Sequence, residues 1–251
     1  MLISKSRFPR PYQQNIYVNG KLNTTVGSCV ACSFTRIIEV LNSIATGTYT
    51  NMSVGYLYGR HNKPDKKSGG MDEVYTLNSL MNKGTVPENI CDIYGEMPDI
   101  KLAIDSLPNI SELDQIALAT RISGWKELKF SELCECLERY DLPVAGKTKK
   151  NGDNHSVVVV GCENNYVLYL DHDGTDTIHK SRSKNFSKFY FIEGLEKESK
   201  MEKVNEIQDI VRELNKAGVI TDTNLWNNKC KEDVNVYWLC YKVANKLRGA
   251  L

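Results

Sequence analysis

A chain of 251 residues has room for one large domain or two unequal ones, and 41% hydrophobic with 25% charged residues is the composition of a globular protein, not of an extensively disordered one. Lys and Arg total 32 against 31 Asp and Glu, so no overall field selects nucleic acid or an anionic membrane surface as a partner. The start, MLISKSRFPRPYQQ, has no apolar stretch of signal-peptide length, and no run approaches the ~20 apolar residues of a membrane-crossing helix, so cytoplasmic synthesis without membrane association is expected.

From Val30 to Ala45 the apolar residues Val30, Phe34, Ile37, Ile38, Leu41 and Ile44 repeat along one helical face, and Gly47 ends the pattern. The preceding KLNTTVGS is polar, which puts Cys29 where a loop turns into the first turn of a long buried helix. Residues 51–70, rich in Gly, Asn, Lys, Pro and Asp, read as a surface loop. Met71 to Lys83 carries Val74, Leu77, Leu80 and Met81 at helical spacing, closed by Gly84 and Pro87. Ser131 to Tyr140 gives a third helix, with Leu133 and Leu137 on one face, so the part before residue 143 reads as mainly helical.

After Pro143 the period changes. His155 to Val160 and Tyr166 to Asp171 are short apolar, β-branched runs separated by Gly-Cys-Glu-Asn-Asn, a hairpin signal, and Phe189 to Ile192 offers a further strand. Lys147, Lys149 and Lys150 read as a solvated charge run in a loop. Helices followed by an antiparallel sheet make an α+β arrangement. The charged stretch EKESKMEK then reads as a linker between a domain at 1–198 and a unit at 202–251. In that unit Val204, Ile207, Val211 and Leu214, and then Val236, Leu239, Val243 and Leu247, mark two helices, with Trp226 and Trp238 as its core. About fifty residues bury little alone, so this pair is expected to pack on the main domain or on a partner.

A thiol attacks as thiolate, and a free Cys with a pKa of about 8.5 needs help at neutral pH. The start of a helix supplies partial positive charge and a nearby imidazolium a full one. Cys29 has the first from its position. Of the four His, at 61, 155, 172 and 179, hairpin geometry selects His155. In a hairpin centred on Glu163 with a three-residue loop, Cys162 to Asn164, facing residue numbers add to 326; Gly161 then faces Asn165, Val160 faces Tyr166 and His155 faces Asp171. Facing residues suit an imidazole hydrogen-bonded to a carboxylate that fixes its tautomer. His172 would point to the other face from Asp171.

These residues carry a resemblance. Gly27-Ser28-Cys29-Val30-Ala31-Cys32-Ser33 resembles the nucleophile motif of the papain family, and Asn154-His155-Ser156-Val157 with Val160-Gly161 resembles its histidine strand. Ser68-Gly69-Gly70-Met71, followed by a helix and by Gly84 to Glu88, is similar to the family's cleft-lining segment, and the sixteen residues from His155 to Asp171 match its spacing from catalytic His to orienting Asn. The likeness runs from about Asn15 to Ile192. It implies a papain-like fold with a helical lobe and a β-sheet lobe, Cys29 and His155 on facing walls of a cleft, and peptide-bond hydrolysis through a thioester with no cofactor or metal. It further implies Asn23 as oxyanion donor beside the Cys29 N–H, and Gly27, Ser28, Gly69, Gly70, Met71 and Ser156 as substrate-binding residues, Met71 and Ser156 at the pocket for the second residue before the cut.

The chain departs from the family at three places: Asn23 stands for Gln, Asp171 for Asn, and Asp171-His172-Asp173-Gly174 for Asn-Ser-Trp-Gly. The C-terminal unit, with its Gly218-Val-Ile-Thr-Asp-Thr-Asn-Leu-Trp226 and Val243-Ala-Asn245, is similar to short segments of phage-encoded and clostridial wall-acting proteins, which implies a bacterial or phage source, association with a phage or release by lysis, and a module that binds a partner, the cell wall or the catalytic domain. With 28 residues ahead of Cys29, no long inhibitory propeptide is expected.

Other readings compete. Cys29-Val-Ala-Cys32 fits a C-x-x-C redox pattern, and with Cys134 and Cys136 it could form a four-thiolate zinc site, although i and i+2 on a helix share no face. Cys32, one turn into the helix, is expected in the core. Eight Cys at irregular spacings imply no disulfide framework. Within the resemblance, a peptidoglycan-cleaving lysin and a non-catalytic papain-like binding protein stand as alternatives to a peptidase acting on peptide or protein substrates.

Overall fold

The computed structural model describes residues 2–3, 17–18, 21–22, 27–63, 70–93, 99–172, 177–196, 210–212, 214–223, 225–227, 240 and 243. The chain divides into two compact units, Met1–Glu196 and Lys197–Leu251.

The first unit opens with a two-stranded antiparallel sheet, β1 (Tyr17–Val18) and β2 (Lys21–Leu22). The long helix α1 (Cys29–Thr46) follows, and it ends at Gly47, whose φ of 73° is the left-handed turn that terminates helices. Every residue from Val30 to Leu41 is buried. Inside it Arg36 and Glu39, 2% and 0% exposed, pair at 2.9 Å, and the Tyr49 hydroxyl and the Met52 N–H also donate to Glu39. Burial raises the Glu39 pKa and Arg36 opposes that rise, so the pair is held together by necessity: either charge alone would be stranded.

The stretch expected as a surface loop contains α2 (Val54–Arg60), capped by Ser53, whose Oγ accepts from the Tyr56 N–H at 3.0 Å. Its glycines mark close approach, not a turn. A Cβ at Gly55 would fall 1.6 Å from the Ile93 carbonyl oxygen, and one at Gly59 would meet Ile104 at 3.0 Å. Then come α3 (Glu73–Lys83), capped by Asp72, α4 (Asp99–Asp105), which packs on α2, and α5 (Ile110–Ala117). A strand, β3 (Ile122–Leu128), corrects the mainly helical reading of this half; it pairs with a strand some seventy residues later, a partner that local periodicity cannot supply.

The remaining elements are α6 (Phe130–Tyr140), β4 (Val144–Lys150), β5 (Asp153–Glu163), β6 (Tyr166–Leu170), β7 (Ile178–Arg182) and β8 (Lys188–Leu195). With β3 they build a six-stranded antiparallel sheet in the order β3-β8-β4-β5-β6-β7. The lysine run lies on β4, not in a loop. Asn151 and Gly152, at φ 53° and 92°, form the two-residue turn that folds β4 back as β5 and sets Lys150 opposite Asp153 and Thr148 opposite His155. α1 packs across β4, β5 and β8, which gives the α+β core its centre. Cys134 on α6 is disulfide-bonded to Cys162 on β5, a pairing that the irregular spacings did not imply.

In the second unit Ile210, Val211, Leu214, Ile220 and Cys240 are buried and Trp226 is half-buried. Val204, Ile207, Val236, Trp238, Leu239 and Leu247 lie outside the described residues.

Candidate active site

Cys29 is the first residue of α1 and is half-buried. Gly27 precedes it at φ 66°, a left-handed backbone that favours glycine, and brings the chain into the helix. Ser28 is buried and its side chain makes no capping hydrogen bond to the first-turn N–H groups beside the thiol. Cys32, 3% exposed, is pushed up to about 12, by burial first and by Cys29 second; it remains a thiol and belongs to the core.

His155 on β5 lies close enough to Cys29 for the thiol to act on its ionisation, and its Nε2 lies 2.7 Å from Asp171 Oδ1. Burial alone would lower its pKa, but the hydrogen bonds and charges of Asp171 and Cys29 outweigh that and hold it at about 9.

The route by which His155 meets Asp171 differs from the expected register. Glu163 pairs with Tyr166, so the β5–β6 turn has two residues, Asn164 at φ 53° and Asn165, in place of three. Continued without interruption, that register would put Asp171 on the opposite face from His155. One extra residue at Val160 shifts it, so that Val159 pairs with Tyr169 and Val158 with Leu170. Asp171, just past the end of β6, then lies diagonal to His155 on the same face, within side-chain reach. At the bulge the Val160 carbonyl accepts from the Ile3 N–H at 2.8 Å.

Asp171 is 8% exposed and accepts three donors: His155 Nε2, Lys150 Nζ on Oδ2 at 2.8 Å, and its neighbour's backbone N–H, that of His172, on Oδ1 at 2.7 Å. Burial works to raise its pKa; the His155 and Lys150 hydrogen bonds overcome that and hold the carboxyl well below the usual carboxylate range.

His172, set aside in the sequence, proves to be part of this cluster. Its ring centroid is 5.8 Å from that of His155, and its Nε2 lies 2.9 Å from the Ser156 carbonyl oxygen and 3.2 Å from Ser33 Oγ. Burial, aided by the charge of His155, lowers its pKa to about 4, so it is neutral where His155 is charged. The signal for Lys150 was present in the sequence: Asn151-Gly152 is a strong two-residue hairpin turn, and it puts Lys147 to Lys150 on a strand beside His155. For His172 no local signal existed, because its partners are on α1 and β5.

Gly27 and Gly70 come together: a Cβ on the exposed Gly70 would stand 3.7 Å from the Gly27 carbonyl oxygen. Met71 is 8% exposed. Ser156 is 2% exposed, and its hydroxyl donates to Ser33 Oγ at 3.1 Å in the contact between α1 and β5. Asn23 and Gly69 lie outside the described residues. The four-thiolate zinc reading fails, since Cys134 is bonded to Cys162 and Cys32 is sealed inside α1. Among the described residues no three His, Cys, Asp or Glu side chains are grouped to hold a metal.

No family model matches the chain, and no curated protein sequence matches it. Solved structures do. The Carica candamarcensis cysteine protease CMS1MS2, solved in complex with E-64, is 16% identical at a TM-score of 0.51, over 74% of this chain and 95% of that one. Xylellain, a cysteine protease from Xylella fastidiosa, is 16% identical at 0.53, over 78% and 91%. Digestive procathepsin L 3 of Tenebrio molitor larval midgut is 13% identical at 0.52, over 76% and 68%. Identities this low speak for the fold and transfer no residue's role. The chain has the two-lobed α+β fold of the papain-like cysteine proteases.

Proposed function

We propose that the protein is a cysteine endopeptidase that hydrolyses peptide bonds through a thioester acyl-enzyme. The observation that carries this reading is the half-buried Cys29 at the mouth of α1, near enough to His155 to act on its ionisation, with His155 itself anchored on Asp171 at 2.7 Å. Attack requires the thiolate, and the imidazole of His155 is the base that takes the proton of the thiol. Cys29 Sγ attacks the scissile carbonyl carbon, with the Cys29 N–H and Asn23 as donors to the oxyanion. His155 gives its proton to the leaving amine as the C–N bond breaks and the thioester forms. Its imidazole then takes a proton from water, which attacks the thioester; collapse releases the acid and restores the thiolate and imidazolium. Asp171 keeps His155 oriented throughout.

The peptidase domain in this reading spans 1–198, and the helical module at 202–251 serves to bring substrate or partner to it; a bacterial or phage source belongs to the same proposal. The test is hydrolysis of a peptide library by wild type and by Cys29→Ala. Cleavage by the first and none by the second is expected, and equal activity in both would remove the enzyme reading. Turbidity loss of Gram-positive cells without casein digestion would redirect the substrate to cell-wall peptides.

A further inference from the structure

The carboxylate behind His155 is charged, and a second cation answers it. Asp171 takes His155 Nε2 on Oδ1 at 2.7 Å and Lys150 Nζ on Oδ2 at 2.8 Å, so two cationic groups share one carboxylate whose side chain is 10% exposed. Lys150 reaches it because the Asn151-Gly152 turn sets the last residue of β4 beside the strand that carries His155. The lysine side chain is itself 51% exposed, which weakens its field by solvent screening but leaves it free to follow the carboxylate.

The geometry points to Lys150 as a positioning residue that tunes the Cys29–His155 pair through Asp171. The Asp171–Lys150 pair presents the imidazole with an accepting oxygen and little net charge, much as a neutral amide would. The proposal rests on the thiol chemistry above and adds a role for a residue outside the Cys29, His155 and Asp171 set.

The signs follow from Coulomb's law. Asp171 alone would stabilise the imidazolium, and an imidazolium held too firmly is a poor acid toward the leaving amine. Lys150 offsets part of that field. Among the described residues the groups facing His155 are Cys29 from α1, Asp171 and His172 from the segment after β6, and Lys150 from β4, itself opposite Asp153. Above about pH 5 His172 is neutral, since its pKa is lowered to about 4, and it contributes no charge.

The experiment compares wild type with Lys150→Met, Lys150→Arg, Asp171→Asn and the double variant Lys150→Met/Asp171→Asn. It reads the pH dependence of Cys29 alkylation by iodoacetamide and of kcat/KM on a cleaved peptide. Lys150→Met should move the alkaline limb, where His155 loses its proton, upward by roughly half to one pH unit, and Lys150→Arg should leave it in place. Asp171→Asn leaves an ammonium unopposed beside the imidazole, so its limb should move down and its kcat/KM should fall about tenfold or more. The double variant should regain part of that loss, because removing the cation matters most where the anion is gone.

A limb that stays put or moves down in Lys150→Met, or a double variant no better than Asp171→Asn, overturns the proposal. The two claims separate cleanly. Limbs that shift as expected in a protein that cleaves no peptide sink the peptidase reading and keep the role of Lys150; cleavage with unmoved limbs does the reverse.

Discussion

His155 Nε2 and Asp171 Oδ1 stand 2.7 Å apart although neither residue is the other's partner in the sheet: His155 pairs with Thr148 on β4, and Asp171 follows the last paired residue of β6. Their contact depends on the extra residue at Val160, which moves Asp171 to the face that His155 occupies. The imidazole is thus aimed by a carboxylate reaching diagonally from the strand end, and no other side-chain hydrogen bond to Asp171 Oδ1 is made among the described residues.

Replacing that carboxylate by a methyl group should leave His155 without its anchor. Asp171→Ala is expected to lower kcat/KM on the order of a hundredfold, the scale of a positioned general acid and base, with a smaller change in KM. Steady-state kinetics on one peptide checks it, and unchanged kcat would count against an orienting role.

The same pair makes stability depend on pH. His155 rises from an ordinary 6.5 to about 9 in the folded protein, so its contribution is fully present below pH 6.5 and is lost as pH climbs through 9. Asp171 is held below its ordinary 3.8, so its contribution is present above that value and is lost in acid. Thermal melts from pH 5 to pH 10 should show Tm falling between about 6.5 and 9 in wild type. In His155→Gln that fall should be missing.

Cys134 and Cys162 close a loop with a sequence separation of 28 residues. Restricting the unfolded chain by such a loop stabilises the fold by about 3 to 4 kcal/mol in the chain-entropy account. Cys134→Ser should lower the urea midpoint accordingly. The alkylation profile of Cys29 should not move, since the bridge ties α6 to the turn end of β5, seven residues from His155.

The ion pair inside α1 should behave asymmetrically. Arg36→Ala strands the fully buried Glu39 and is expected to destabilise by about 3–5 kcal/mol, measured by denaturant unfolding. Replacing both partners by apolar residues of like volume should cost less than the single change.

Much of the site was legible because its parts are local. Cys29 at a helix start follows from polar residues ahead of an apolar helical face, and the β5–β6 hairpin follows from two β-branched runs around Asn and Gly. The register did not follow, because a two-residue turn and a bulge shift it in opposite senses relative to a three-residue loop, and a bulge leaves no local mark in an all-apolar run such as Val157 to Val160. α2 was misread because Gly55 and Gly59 serve packing against Ile93 and Ile104, a reason visible once those partners are in place. The strand that carries Lys150 is signalled by the Asn151-Gly152 turn, whereas the pairings of β3 with β8 and of Cys134 with Cys162 are long-range facts that no window of sequence contains.

The pH dependence of Cys29 alkylation in wild type and in His155→Ala tests the central claim most directly. If the imidazolium of His155 sustains the thiolate, Cys29 of the wild type should react well below pH 8, while in His155→Ala it should react with the profile of an ordinary cysteine, with a midpoint of about 8.5. Identical profiles in the two proteins would contradict it.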